Sequence, residues 1–172
     1  YSEGELLGNF PQKIYATWVD GSVALADVSG DSLLDVIVPQ SKGFLYAFDM
    51  EGELVPGFPL EAENVHVVKG FETSPTLIDI DGDGDMDIAS GYSSGNVKLY
   101  INNNGTFSED NSTLSNIKVT WGSKPAFADI DGDGDIDLLV GSDDTNTSKF
   151  YLNDGNNSFS ENTTVFAGIN FP

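Results

Sequence analysis

One nine-residue pattern constrains the fold of this chain more than any other feature of the sequence. The segment DIDGDGDMD at residues 79–87 returns almost unchanged as DIDGDGDID at residues 129–137. The carboxylates in each copy repel one another strongly at such short spacing. A loop of this composition is stable mainly around a cation, and carboxylate oxygens favour hard ions, Ca²⁺ before Mg²⁺. The pattern therefore predicts two strong calcium sites.

The spacing within each loop assigns the ligands. We expect carboxylates from the first, third, fifth and ninth positions and a backbone carbonyl from the seventh, while the glycine at the sixth position allows the sharp bend. The side chains at the seventh position are free to point to solvent. The predicted ligands are Asp79, Asp81, Asp83, the carbonyl of Asp85 and Asp87 in one site, and Asp129, Asp131, Asp133, the carbonyl of Asp135 and Asp137 in the other.

The flanks of the loops exclude an EF-hand. That motif requires a bidentate Glu at position twelve and a helix on each side, but position twelve is Ser90 in one copy and Val140 in the other. Short apolar runs bounded by Gly and Pro precede and follow both loops, a pattern typical of β-strands. Each loop is therefore predicted to join two strands.

A weaker copy of the pattern occupies residues 27–35. Acids stand at positions one, five and nine, but a serine replaces the third acid and Ser32 replaces the glycine. Losing one carboxylate and the flexible residue weakens calcium binding. The ligands of this possible third site are Asp27, Ser29, Asp31, the carbonyl of Leu33 and Asp35.

The D-x-D-x-D-G-x-x-D loops at Asp79–Asp87 and Asp129–Asp137, each between apolar strands and fifty residues apart, identify a known kind of repeat. The chain resembles the FG-GAP repeats of integrin α-subunits and the related VCBS repeats of secreted proteins, over nearly its whole length. The resemblance implies a β-propeller in which Ca²⁺ is bound by the loop between the first two strands of a blade.

The predicted fold is all-β, with about three consecutive four-stranded antiparallel blades in a single repeat domain over residues 1–172. The hairpin signals Asn103-Asn104-Gly105 and Asn153-Asp154-Gly155 support this fold. The predicted parts are the tail strand of a preceding blade at 1–13, blades at about 14–60, 61–115 and 116–163, and a C-terminal segment at 164–172.

Three blades do not close a propeller, which has about four to eight. The chain could be a fragment of a longer propeller, could complete a ring with another chain, or could join its neighbours head to tail through open blade edges. We favour the fragment for the native protein because the sequence starts in the middle of a repeat. The lack of an initiator Met and of a signal peptide also indicates a mature or excised piece. Other protein chains, including copies of this one, are the expected partners.

Charge, composition and glycosylation motifs indicate where the protein is located and argue against some classes of partner. The net charge of −21 argues against nucleic acid and anionic membranes as partners, and no apolar run reaches the length of about 20 residues that spans a bilayer. Weak calcium sites fill where calcium is near millimolar, outside cells. Together with five N-glycosylation sequons, this predicts an extracellular or cell-surface protein. The sequons begin at Asn104, Asn111, Asn146, Asn156 and Asn162.

The sequence offers little catalytic chemistry. It has no Cys, its one His (His66) falls in a strand pattern, and it lacks a nucleophile elbow and a phosphate-binding loop. We therefore expect no enzyme but a calcium-stabilised structural or adhesion module acting through protein contacts. The alternative is a glycan-binding propeller, in which Trp18, Tyr92 and Trp121 stack on sugars. Packing between blades is the competing and favoured interpretation of these three aromatic residues.

Overall fold

The computed structural model describes residues 14, 19, 21–61, 71, 73–144 and 147–164. Within these residues the chain forms three four-stranded antiparallel sheets, each with its strands in chain order. Among the same residues, no helix has the length and apolarity needed to span a membrane. The predicted all-β class with three four-stranded repeats is confirmed. The tail strand predicted at 1–13 lies outside the described residues, as does all but the first residue of the segment 164–172.

Twelve strands form the three sheets within the described residues. Sheet 1 contains β1 (Ala24–Ala26), β2 (Asp35–Gln40), β3 (Phe44–Phe48) and β4 (Leu60–Glu61). Sheet 2 contains β5 (Thr76–Ile78), β6 (Asp87–Gly91), β7 (Val97–Asn103) and β8 (Thr106–Asp110). Sheet 3 contains β9 (Lys124–Ala128), β10 (Asp137–Gly141), β11 (Lys149–Asn153) and β12 (Phe159–Glu161).

The pairing register is the same in the three sheets. Leu25 pairs with Val36 in sheet 1, Leu77 with Ile88 in sheet 2, and Phe127 with Leu138 in sheet 3. Because side chains alternate between the two faces of a strand, these pairs lie on the same face of each sheet. We call this the A face and the opposite one the B face.

Each of two apolar cores lies between neighbouring sheets. In the first core, the B face of sheet 1, including Ile37 and Leu45, packs against the A face of sheet 2, including Ile88. In the second, the B face of sheet 2, including Leu99, packs against the A face of sheet 3, including Leu138. The sheets therefore follow one another A face on B face, as consecutive blades would. Closure into a propeller stays a prediction.

The hairpin turns differ between sheets 2 and 3. Asn104 and Gly105 both have positive φ, 49° and 79°, and form the expected two-residue turn between β7 and β8. In sheet 3, however, Asn153 pairs with Phe159. The connection is therefore a longer loop over residues 154–158, which contains the predicted turn residues Asp154 and Gly155.

Candidate metal centres

The three acidic loops occupy the same place in the three sheets. Each connects the first strand of its sheet to the second, and its ninth residue is the first residue of that second strand, namely Asp35, Asp87 or Asp137. These three carboxylates are buried, with at most 1% of each residue exposed, whereas most of the other loop acids are exposed or half-buried. The ninth position is thus the buried residue of each loop, held at the start of a strand.

Backbone amides hold the loop of sheet 2 in its turn. Asp79 accepts hydrogen bonds from the amides of Gly82 (2.8 Å) and Gly84 (3.0 Å). Asp87 accepts one from the amide of Ile80 at 2.9 Å. The two glycines have φ values of 78° and 97°, a region that side chains other than glycine rarely adopt. The acids at positions one and nine therefore organise the backbone as well as offering oxygen atoms.

The loop of sheet 3 repeats this arrangement. Asp129 accepts from the amides of Gly132 (2.8 Å) and Gly134 (3.2 Å), and Asp137 accepts from the amide of Ile130 (3.0 Å). Two loops fifty residues apart in the sequence thus have the same internal hydrogen bonds.

Three carboxylates converge in each strong loop. Oxygen atoms of Asp79, Asp81 and Asp87 lie within 4.8 Å of one another, and so do those of the group Asp129, Asp131 and Asp137. Calcium–oxygen bonds measure about 2.3–2.6 Å, so two ligands of one ion lie up to about 5 Å apart. The spacing and the all-oxygen donor set both fit Ca²⁺.

The remaining predicted ligands are placed differently. Asp83 and Asp133 are not in these groups, and their carboxylates accept hydrogen bonds from the amides of Asp85 (2.9 Å) and Asp135 (3.0 Å). The side chain of Asp85 accepts a hydrogen bond from the Asn104 amide at 2.7 Å, so it is not simply directed to solvent. Participation of Asp83, Asp133 and the seventh-position carbonyls stays a prediction.

The loop of sheet 1 follows the same path with different side chains. Asp27 accepts hydrogen bonds from the amides of Gly30 (2.7 Å) and Ser32 (2.7 Å), and Asp35 accepts them from Val28 and Ser29 (both 2.9 Å). Ser32 has a φ of 70° at the position where the other loops have glycine.

The carboxylates of this first loop do not converge. Among the described residues, Asp27, Asp31 and Asp35 form no group of the kind seen in the other two loops. In addition, Oδ1 of Asp35 is buried without a hydrogen-bond partner. The serine at the third position leaves the loop short of one acid, so a weaker third site stays a prediction.

Burial changes the pKa of two of the ninth-position acids, Asp87 and Asp35. Burial raises the pKa of Asp87, although the amides of Asn102 and Ile80 act against it, and the charges of Asp81 and Asp83 raise the pKa further. Burial likewise raises the pKa of Asp35. A calcium ion would supply the positive charge that offsets this repulsion.

Two asparagines complete the sites, and the sequence reasoning missed them. The amide of Asn102 donates to Oδ1 of Asp87 at 2.7 Å, and the amide of Asn153 donates to Oδ1 of Asp137 at 3.0 Å. Both asparagines are buried at the end of the third strand of their sheet. Their recurrence just before the glycine turns was a sequence signal that could have revealed them.

The sequon asparagines that the structure describes differ in their exposure. The sequon asparagines Asn104, Asn111 and Asn156 are exposed and Asn162 is half-buried, while Asn146 lies outside the described residues. Exposure fits glycosylation of the first three, which stays a prediction.

The three aromatic candidates have different environments. Tyr92 is buried, and its ring centre lies 5.1 Å from that of Phe71, as packing requires. Trp121 is 61% exposed, so its assignment to packing between blades is wrong. Trp18 lies outside the described residues, as does His66.

Comparison with known proteins agrees with the geometry of the loops. Residues 79–140 match the family model of the FG-GAP-like repeat. The match runs from the loop of sheet 2 through the loop of sheet 3, so the resemblance seen in the sequence is confirmed there. The comparison with curated protein sequences found no match.

Among solved structures, the chain is similar to the V. cholerae biofilm matrix protein Bap1. The identity is 18% and the TM-score 0.45, over 80% of this chain and 29% of the other. The chain therefore spans less than a third of the length of that protein.

Proposed function

We propose that this chain is a calcium-stabilised structural module of an extracellular adhesion or surface assembly, and that it acts through protein contacts rather than catalysis. The FG-GAP-like repeat and the converging carboxylates support the calcium role. The FG-GAP-like repeat also supports an extracellular location, since the resemblance is to repeats of integrin α-subunits and of secreted proteins.

One observation carries the proposed contact role, namely the exposed apolar residues around β1 on the A face of sheet 1, a face on which Val38 and Phe48 are buried. Leu25 on this face is 58% exposed, whereas the equivalent Leu77 and Phe127 pack into the two cores. Val36 is half-buried, whereas the equivalent Ile88 and Leu138 are fully buried.

The apolar surface extends beyond this pair. Val23 and Leu34, at the ends of the same two strands, are 54% and 57% exposed. Clusters of exposed apolar side chains mark interaction sites on soluble proteins. In sheets 2 and 3 the equivalent face is covered by the B face of another repeat. The partner that fits best is therefore a further repeat sheet, which a second copy of the chain would supply.

Sedimentation velocity in calcium tests the proposed contact. We expect the chain to self-associate, and we expect Leu25→Glu to abolish association because it buries a charge in the contact. Met50→Glu is the matched control, since Met50 is 47% exposed but lies in the turn after β3. A wild-type chain that stays monomeric up to its solubility limit would contradict self-association through this face.

The exposure of Trp121 favours a second candidate function, glycan binding. An exposed indole ring offers an apolar face for a sugar ring to stack on, and the amide of Asp143 donates to the Trp121 carbonyl at 3.0 Å, which fixes the backbone beside the ring. Glycan-array binding that disappears in Trp121→Ala and persists in Leu25→Glu would support this function over the first.

A further inference from the structure

The tip of the β7–β8 hairpin lies between the acidic loops of two neighbouring sheets. Beside the tip, in β7, lies Asn102, which is 2% exposed and whose backbone amide donates to Asp87 in the loop of sheet 2. The side-chain amide of Asn102 donates to the carbonyl of Met86 in the same loop at 3.2 Å, and to the carbonyl of Val28 in the loop of sheet 1, also at 3.2 Å. One buried side chain thus joins the two loops.

The contact in sheet 1 leads directly to a ninth-position acid. The carbonyl of Val28 belongs to the same peptide unit as the amide of Ser29, which donates to Asp35 at 2.9 Å. Asn102 therefore joins Asp87, through its backbone amide, to the peptide unit that donates to Asp35, through its side-chain amide. From the side chain of Asn102 to Asp35 the hydrogen bonds form a chain whose members polarise one another in a low-dielectric interior, and Asp87, Asn102 and Asp35 are each at most 2% exposed.

Close backbone approach fixes the same tip. The Oδ1 atom of Asn102 accepts a hydrogen bond from the amide of Gly105 at 2.9 Å. A Cβ atom on Gly105 would meet the carbonyl oxygen of Ser29 at 2.9 Å. The tip has little room to move relative to the loop of sheet 1.

Sheet 3 provides an internal comparison. Asn153 donates to Asp137 and, at 3.1 Å, to the carbonyl of Ile136, and accepts from Gly155 at 3.3 Å. Within the described part of the chain, these hydrogen bonds of Asn153 all stay in its own repeat. The link between loops therefore belongs to Asn102 and not to its equivalent.

We infer that Asn102 is a positioning residue that couples the loop of sheet 2 to the loop of sheet 1, so that an ion bound at the Asp79, Asp81 and Asp87 carboxylates also orders the preceding loop. This inference rests on the proposed calcium function. Coupling between two sites is reciprocal, so order in the loop of sheet 1 strengthens binding in sheet 2 equally. The calcium loops would then act in part as one unit rather than as independent sites.

Amide hydrogen exchange measured by NMR tests the link in chelator and in calcium. In chelator, Asn102→Ala should speed exchange at Val28 and Ser29 by about five- to tenfold, the effect of losing one buried hydrogen bond. The matched control Asn153→Ala should change exchange in the loop of sheet 3 and leave Val28 and Ser29 unaffected. Equal effects of the two substitutions on these amides would overturn the inference.

The exchange measurement in calcium distinguishes coupling between the two loops from simple packing of Asn102 against the loop of sheet 1. It uses an Asp31→Asn background, which removes a predicted ligand from the loop of sheet 1. Calcium binding is followed in sheet 2 by the amide signals of Gly82 and Gly84. Calcium should then slow exchange at Val28 several-fold, and this response should vanish in Asn102→Ala. A response that persists would overturn the coupling.

Failure of the proposed calcium function has a different signature. In that case the glycine signals of sheet 2 would not move with calcium, while the exchange comparison in chelator would still decide whether Asn102 orders the preceding loop. If Asn102→Ala does not fold, Gly105→Ala and Gly155→Ala replace the pair. Their φ values are 79° and 80°, so the backbone strain is similar. A Cβ atom at Gly105 would meet the Ser29 carbonyl, whereas one at Gly155 would meet the Asp135 side chain in its own repeat, so only the first should disturb Val28 and Ser29. Equal disturbance by both would contradict the link.

Discussion

Two substitutions in the loop of sheet 2 should separate its structural role from its metal-binding role. Asp87 is fully buried and accepts two backbone amides, those of Ile80 and Asn102, whereas Asp81 is exposed and accepts one at 3.3 Å, from Asp83. In Asp87→Asn the remaining side-chain oxygen still accepts one of these two hydrogen bonds. The new NH₂ group faces the other backbone amide, which therefore loses its acceptor. Asp81→Asn removes charge and little else.

The expected magnitudes follow from these contacts. Losing a hydrogen bond to a charged acceptor costs about 1.5–3 kcal/mol, and burial, which raises the pKa of Asp87, means that removing the charge offsets part of this cost. In chelator, Asp87→Asn should therefore lose about 2 kcal/mol, which lowers the melting temperature by roughly 4–8 °C for a domain of this size. Asp81→Asn should stay within about 0.5 kcal/mol of the wild type.

In calcium, we expect Asp81→Asn to be less stable than the wild type, although the two are alike in chelator. A site at ten times its dissociation constant adds roughly 1.4 kcal/mol, and Asp81→Asn should lose this gain for its loop. Differential scanning calorimetry in chelator and in millimolar calcium measures both effects. The reasoning is refuted if Asp87→Asn melts like the wild type in chelator, or if Asp81→Asn keeps the full calcium response.

Two further predictions concern other parts of the chain. Ser32→Gly should stabilise the protein by about 1 kcal/mol in chelator as well as in calcium, because Ser32 has a φ of 70° and this region is costly for side chains other than glycine; an unchanged chemical-denaturation midpoint would contradict it. Although burial acts in the opposite direction, hydrogen bonds from Ser112 and Thr113 lower the pKa of Asp110 to about 2. The stability from this lowered pKa is therefore present above the unfolded value of 3.8 and is lost as the pH falls toward 2. A carboxyl NMR titration should show a higher midpoint in the Ser112→Ala, Thr113→Val double variant, and an unmoved midpoint would contradict the assignment.

The repeat architecture could be predicted from the sequence because its signals are local. The acidic loops, the apolar runs beside them and the glycine turns each depend on a few neighbouring residues, and the strands beside the acidic loops formed where these signals placed them. The two strong loop motifs, residues 79–87 and 129–137, end at Asp87 and Asp137, and each of these is the first residue of a strand.

The contacts between repeats could not be predicted in this way. Asn102 meets Val28 across 74 residues of sequence, and no local pattern assigns that partner. The exposure of Trp121 depends on how neighbouring loops pack, so its position before a strand gave the wrong interpretation. The five-residue loop after Asn153 shows that a strong turn signal does not fix the register of a hairpin.

Calorimetric titration of the chelated protein with calcium tests the central claim most directly, namely that the converging carboxylates bind Ca²⁺ and thereby stabilise the repeats. The account predicts heat from at least two sites, one of which is lost in Asp81→Asn and the other in Asp131→Asn, the equivalent position in sheet 3. Absence of heat at millimolar calcium, or full binding in the double variant, would contradict it.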